Sequence, residues 1–170
     1  MNARLKLTGR LHDIIVKDLM RPHPFALERV GFVFGRIGSG LDGTSVVLLT
    51  HYHAVADDQY IDDPKVGARI GPEAMTWSMQ AAHRGRARRE GIFHIHLHEH
   101  CGPTGMSAVD EREIPRMIPG LRAVSANSPH GIIILSFDHG VSWIWLPGCP
   151  NAVKANQVSV IGAPIAVFNQ

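Results

Sequence analysis

The stretch HIHLHEH, residues 94–100, places histidines at 94, 96, 98 and 100, and this two-residue spacing constrains the chain more than any other feature. Successive side chains on a strand point to opposite faces. A strand over 92–98 therefore puts His94, His96 and His98 on one face and Phe93, Ile95 and Leu97 on the other. One face suits a core, the other a site. Imidazoles two residues apart project side by side and reach a common ion at the roughly 2.0–2.1 Å that zinc requires. Every adjacent pair in the stretch meets that condition, and a solvated histidine stripe without a ligand is the competing account of the triplet alone.

Around this strand the sequence alternates helical and extended signals. Residues 11–20, LHDIIVKDLM, carry apolar residues at helical spacing before Pro22 and Pro24 interrupt them. ERVGFVFGR (28–36) and TSVVLLTHYHAV (44–55) are apolar and β-prone, and IGSGLDG between them is turn chemistry, which predicts a hairpin. Residues 56–71, with Asp57, Asp58, Asp62 and Asp63, read as a long exposed loop that solubilises the chain or meets a basic patch on a partner. Residues 72–90 open with Pro72 and Glu73 and close with arginines before Gly91, the end signals of a helix. The basic run HRGRARRE (83–90) then lies where the helix dipole favours cations, and few aromatics accompany it, so it does not call for nucleic acid.

Ser107 is a plausible N-cap with Asp110 in the first turn of a helix over 107–118. HGIIILSF and VSWIWLP, joined by DHG, form the clearest hairpin in the sequence. The apolar tail QVSVIGAPIAVF (157–168) adds a strand, covers an edge, or serves a contact in a homo-oligomer. This order predicts the α/β class, arranged as an α+β sandwich.

A length of 170 residues suits a single domain over 1–170. A net charge of +2 demands neither nucleic acid nor an anionic membrane. With Cys101 and Cys149 alone, a disulfide framework is excluded and a reducing compartment is expected. No apolar run approaches the roughly 18 residues of a spanning helix, and MNARLKLTGR lacks the apolar core of a secretory signal, so the expected location is cytoplasmic.

The chemistry follows from Asp110, three residues after Ser107, where a loop and a helix start can aim a carboxylate at the end of the histidine strand. Two histidines, one aspartate and a fourth position open to water describe a catalytic zinc site. Zinc acidifies water, and a separate carboxylate must then take and relay its proton. Glu28, Glu73 and Glu90 are the upstream candidates. Glu73 has a sufficient helix-start explanation and Glu90 a helix-end one, whereas Glu28 opens an apolar strand, so Glu28 is the expected base.

In that order, ALERVGFVFGR (26–36) and HLHEHCGPTGMSAVD (96–110), with a helix between them, resemble the JAMM/MPN+ (JAB) metalloprotease family of prokaryotic type, over roughly residues 11–147. The resemblance implies an MPN/JAB-like central mixed sheet flanked by helices. It also implies zinc-dependent hydrolysis of a peptide or isopeptide bond at the C-terminus of a ubiquitin-like protein. It makes Glu28 the general base, Asp110 a metal ligand and Ser107 the hydroxyl that steadies the oxyanion. The spacing departs from the family's in either register: His98 to Asp110 is one residue too long, and His100 to Asp110 one too short. His96 with His98 is the preferred ligand pair and His98 with His100 the alternative. A Cys101 thiolate in the site would close the water position. A non-catalytic MPN-type scaffold and a cupin-type metal-binding barrel are the other readings, and the helix expected over 72–90 disfavours the barrel.

Overall fold

His94 and His96 lie on an interior strand of a sheet that has nine strands among the described residues, and His98 and His100 follow just beyond that strand's end. The computed structural model describes residues 2–24, 26–63, 65–162 and 165–169. In chain order the elements are β1 (Ala3–Thr8), α1 (Gly9–Leu19), β2 (Val30–Ser39), β3 (Ser45–Ala54), α2 (Pro72–Gly85), β4 (Glu90–Leu97) and α3 (Ala108–Val124). They are followed by β5 (His130–Leu135), β6 (Gly140–Trp145), β7 (Val153–Lys154), β8 (Gln157–Ile161) and β9 (Ala166–Asn169).

The strand order is β7-β6-β5-β4-β2-β3-β1-β8-β9. Hairpin pairs β2/β3, β5/β6 and β8/β9 are antiparallel, while β1/β3, β1/β8 and β4/β5 are parallel, so the sheet is mixed. The sheet also curls. Near its opposite ends, a Cβ on Gly140 of β6 would lie 3.4 Å from Phe168 of β9 and 3.8 Å from Val158 of β8. Helices and a large curled mixed sheet define the mixed α/β class that the alternation predicts. No helix among the described residues is long and apolar enough to cross a membrane.

Both faces of the sheet are covered. On one, α1 lays Leu11, Ile15 and Leu19 against Leu5, Val33, Val47, Phe93, Ile95 and Leu97. On the other, α2 and α3 pack Ala81, Ile114, Ile118 and Leu121 against Phe32, Ile92, Ile132 and Ile134. The alternation in β4 thus sends Phe93, Ile95 and Leu97 beneath α1, and Ile92 and the histidines toward α2 and α3.

The structure departs from the sequence-based expectations in four places. β1 was not anticipated; its Ala3, Leu5 and Leu7 are buried in period two, but a strand this short needs β3 and β8 beside it to form. Thr8 then caps α1, accepting from the Leu11 N–H at 3.2 Å. The helix expected over 72–90 ends at Gly85; a 3-10 turn over Arg86–Arg88 follows, and Arg89 takes a left-handed φ of 52°. Gly91 is therefore a strand residue rather than a helix stop, and Glu90 is a buried strand opener held by Arg36 and Arg88 at 3.3 and 3.1 Å.

Residues 56–71 are not a freely exposed loop either. Tyr60 is buried, and its hydroxyl accepts from the Val30 N–H (2.9 Å) and donates to the Val30 carbonyl (3.0 Å). Asp57 pairs at 2.7 Å with Arg29, whose side chain is 2% exposed and also donates to the Arg21 and Pro22 carbonyls. A buried guanidinium left unpaired is strongly destabilising, so this loop is anchored. Finally, α3 runs to Val124 through Pro115 and Pro119, both exposed, because Ile114, Met117, Ile118 and Leu121 bury its other face. Of the apolar tail, residues 163 and 164 lie outside the described residues; β8 extends the sheet from β1 and β9 covers it.

Candidate metal centre

Four of the five residues singled out in the sequence converge where β2 and β4 begin and end side by side. Val30 pairs with His96 across β2 and β4, which brings Glu28, just ahead of β2, to the same end of the sheet as His98, just beyond β4. The Nε2 atoms of His96 and His98 are 3.2 Å apart. Glu28 Oε2 lies 3.8 Å from His98 Nε2, and Asp110 Oδ2 lies 3.6 Å from His96 Nε2. Ligand atoms of Glu28, His96 and His98 all fall within 4.8 Å of one another. Asp110 lies outside that mutually close group and approaches it at His96.

Ser107 behaves as the N-cap that its position suggests. Its hydroxyl accepts from the Asp110 N–H at 3.2 Å, and Asp110 Oδ2 accepts from the Ser107 N–H at 2.9 Å, a reciprocal capping box that fixes the carboxylate against the helix start. The Ser107 hydroxyl hydrogen is also given to Asp110 Oδ2, at 2.7 Å. In this arrangement Ser107 orients Asp110 and has no hydrogen free for a substrate.

Two neighbours of the ligand set carry no sequence signal. Thr104 Oγ1 lies 2.9 Å from His98 Nδ1, so that nitrogen is engaged and Nε2 is turned to the centre. Gly67 accepts from the Leu27 and Glu28 N–H groups at 2.8 and 3.1 Å, and a Cβ on it would fall on the Glu28 carboxylate. The segment around Gly67 is thus a flap closed over Glu28. His100 points elsewhere: it is exposed, with Nδ1 3.0 Å from the Cys101 carbonyl oxygen, and Cys101 is exposed as well.

The electrostatics follow from burial. Burial pushes the Glu28 carboxyl up to about 7, with the Asp110 charge adding to the rise. His96, 1% exposed, is held neutral chiefly by burial, then by His94. Burial lowers His98 as well. The Nδ1 atoms of His94 and His96 are sealed from solvent without a hydrogen-bond partner among the described residues. Two neutral imidazoles 3.2 Å apart can share one N–H···N hydrogen bond, and a cation placed there instead would meet both ring nitrogens with carboxylates beside them.

These residues fit a divalent ion. Two ligands about 2.0–2.1 Å from one tetrahedral centre stand roughly 3.3–3.4 Å apart, close to the 3.2, 3.6 and 3.8 Å separations above. Imidazole nitrogen with carboxylate oxygen is a donor set that suits zinc.

The centre opens on a cleft of about 610 Å³ whose lining includes Glu28, His94, His96, Ser107 and Asp110. His94, whose ring meets that of His96 edge-on at 5.6 Å, is pushed down to about 4 by burial, partly offset by Asp110. A histidine lowered from its ordinary 6.5 stays neutral in the folded chain while the unfolded chain takes up a proton. Its contribution is therefore intact above pH 6.5 and lost as pH falls from there through about 4. In chelator-treated protein, His94→Phe is expected to gain about 2 kcal/mol relative to wild type between pH 8 and pH 5. Urea midpoints at the two pH values measure it, and an unchanged gap would contradict a buried neutral His94.

No family model and no curated protein matches the chain. Among solved structures, the STIL N-terminal domain of Trichoplax adhaerens aligns over 82% of this chain and 41% of that chain's own length, at 8% identity and a TM-score of 0.39. A likeness this distant carries no argument about fold or function.

Proposed function

We propose that the chain is a zinc-dependent peptidase or isopeptidase that cuts at the C-terminus of a ubiquitin-like protein, with His96, His98 and Asp110 as ligands and Glu28 as general base. One observation carries the reading. Glu28 Oε2 stands 3.8 Å from His98 Nε2, and Glu28 lines the same cleft as His96 and Asp110, so a carboxylate able to take and return a proton adjoins the ligand set. Bound zinc supplies Lewis acidity toward a carbonyl and brings the pKa of water toward about 7.

The chain's own residues do the rest. Glu28 takes the proton of the attacking water and returns it to the leaving amine. The flap at Gly67 packs against that carboxylate and leaves it part-exposed. Ser107 holds Asp110 in register, and an oxyanion role for Ser107 requires its hydrogen to turn from Asp110 into the cleft. The curled mixed sheet, with one helix on one face and two on the other, is compatible with the MPN/JAB-like arrangement that we propose for it.

Adding a strong chelator is expected to abolish cleavage of a ubiquitin-like fusion, and returning zinc to restore it; a thiol-blocking reagent leaves the rate unchanged, since Cys101 and Cys149 lie outside the ligand set. Metal content and cleavage are read on the same sample. Cleavage that survives complete loss of metal would overturn the reading. Partner binding without cleavage at full zinc occupancy would move the chain to the scaffold alternative.

A further inference from the structure

We propose that the cleft beside the metal centre selects a peptide segment carrying a large apolar side chain next to an acidic one; this rests on the reading of the centre as hydrolytic. Part of the cleft's lining is apolar. Val30, Ile70, Met75, Ile114 and Met117 line it, contributed by β2, the flap, α2 and α3. Its volume of about 610 Å³ falls within the range of sites that bury whole side chains or small ligands, and two methionines give the lining an adaptable shape. A glycine-only tail would leave this chamber unfilled.

The rim adds a charge preference. Arg69 stands on the flap, and Arg112 and Arg116, one helical turn apart on α3, stand on the facing wall. Their side chains are 59%, 55% and 69% exposed. These guanidiniums share two carboxylates: Arg69 pairs with Asp63 at 3.1 Å, while Arg112 and Arg116 both pair with Glu113, at 2.7 and 3.2 Å. Among the described rim residues the balance is one positive charge in excess. Glu28 and Asp110 also line the cleft, and a divalent ion at the centre would offset them. A carboxylate on the incoming segment meets the surplus cation, and a lysine or arginine meets like charge.

The test uses zinc-loaded Glu28→Gln protein, with its metal content verified, and labelled peptides that differ only at two adjacent positions: Leu-Glu, Leu-Lys and Gly-Glu. Fluorescence anisotropy is expected to show Leu-Glu binding about fivefold tighter than Leu-Lys at low salt, with the gap closing as salt rises. Loss of the leucine side chain is expected to weaken binding about tenfold or more. The double variant Arg112→Gln/Arg116→Gln, in the same background, erases the acid preference and keeps the leucine requirement. Equal binding of all the peptides, binding of none, or a lysine preference overturns the proposal. Wild-type cleavage keeps the two readings apart. Selective binding without any cutting sinks the hydrolase and leaves the selectivity, whereas cutting of a ubiquitin-like fusion with no selectivity does the reverse.

Discussion

Glu28→Gln protein is expected to keep its zinc and lose about 10²- to 10⁴-fold in kcat, the usual contribution of a positioned general base. The same substitution is expected to make the metal-free protein more stable at pH 8. Glu28 is raised from 4.5 to about 7 in the fold. Between those values the folded chain holds a proton that the unfolded chain has released, so stability falls as pH rises from 4.5 through about 7, and the full penalty is present above it. With the side chain 24% exposed, removing that penalty is worth roughly 1–3 kcal/mol. Urea unfolding with chelator at pH 5 and pH 8 measures the gain, which is several-fold larger at the higher pH. Asp110→Asn is the complement: it weakens the capping box and lowers zinc affinity. Should Glu28→Gln release the metal while Asp110→Asn retains it, Glu28 is the third ligand, as its place in the mutually close set with His96 and His98 would then require, and the assignment of the base is wrong.

Gly91→Ala is expected to cost about 3 kcal/mol or more, among the largest effects available to a single added methyl group. Gly91 lies near the start of β4, where the chain approaches Pro129, the residue before β5, and an added Cβ would fall on the Pro129 carbonyl oxygen. That obstacle is backbone, so it cannot rotate away. Alanine would force β4 and β5 apart at the start of the parallel ladder that pairs Phe93 with Gly131 and His96 with Ile134. Gly38→Ala in β2, with nothing within 4 Å of the new Cβ, is the control and is expected to stay within about 0.5 kcal/mol of wild type. Equal denaturation midpoints for Gly91→Ala and wild type would contradict the close passage of the two segments.

The sequence made those parts legible whose signal is local. Period-two alternation over 92–98 located β4 and sorted its faces, and Ser107 with Asp110 marked the start of α3. What depended on distant partners was not legible. Ala3, Leu5 and Leu7 alternate, yet only β3 and β8, far along the chain, turn them into a strand. The aspartates of 56–71 suggested solvent, but Asp57 serves the buried Arg29, and Tyr60 reaches Val30 across thirty residues of sequence. Of the centre, the residue types and the end of the sheet where they meet could be read from spacing. Thr104 behind His98 and Gly67 against Glu28 could not, since a threonine and a glycine in loops look like any others.

The seating of β1 between β3 and β8 also bears on how the chain is made. Residues Arg4–Thr8 find their second ladder only on Gln157–Ile161, so on a ribosome that edge waits until about 150 further residues have been made. The antiparallel hairpin of β2 and β3, with β4 beside it, needs only the first hundred residues or so. The waiting edge, with Leu5 and Leu7 side by side, is a natural target for a chaperone. Refolding from urea should therefore show the environment of β8 maturing last, behind the pairing of β2, β3 and β4.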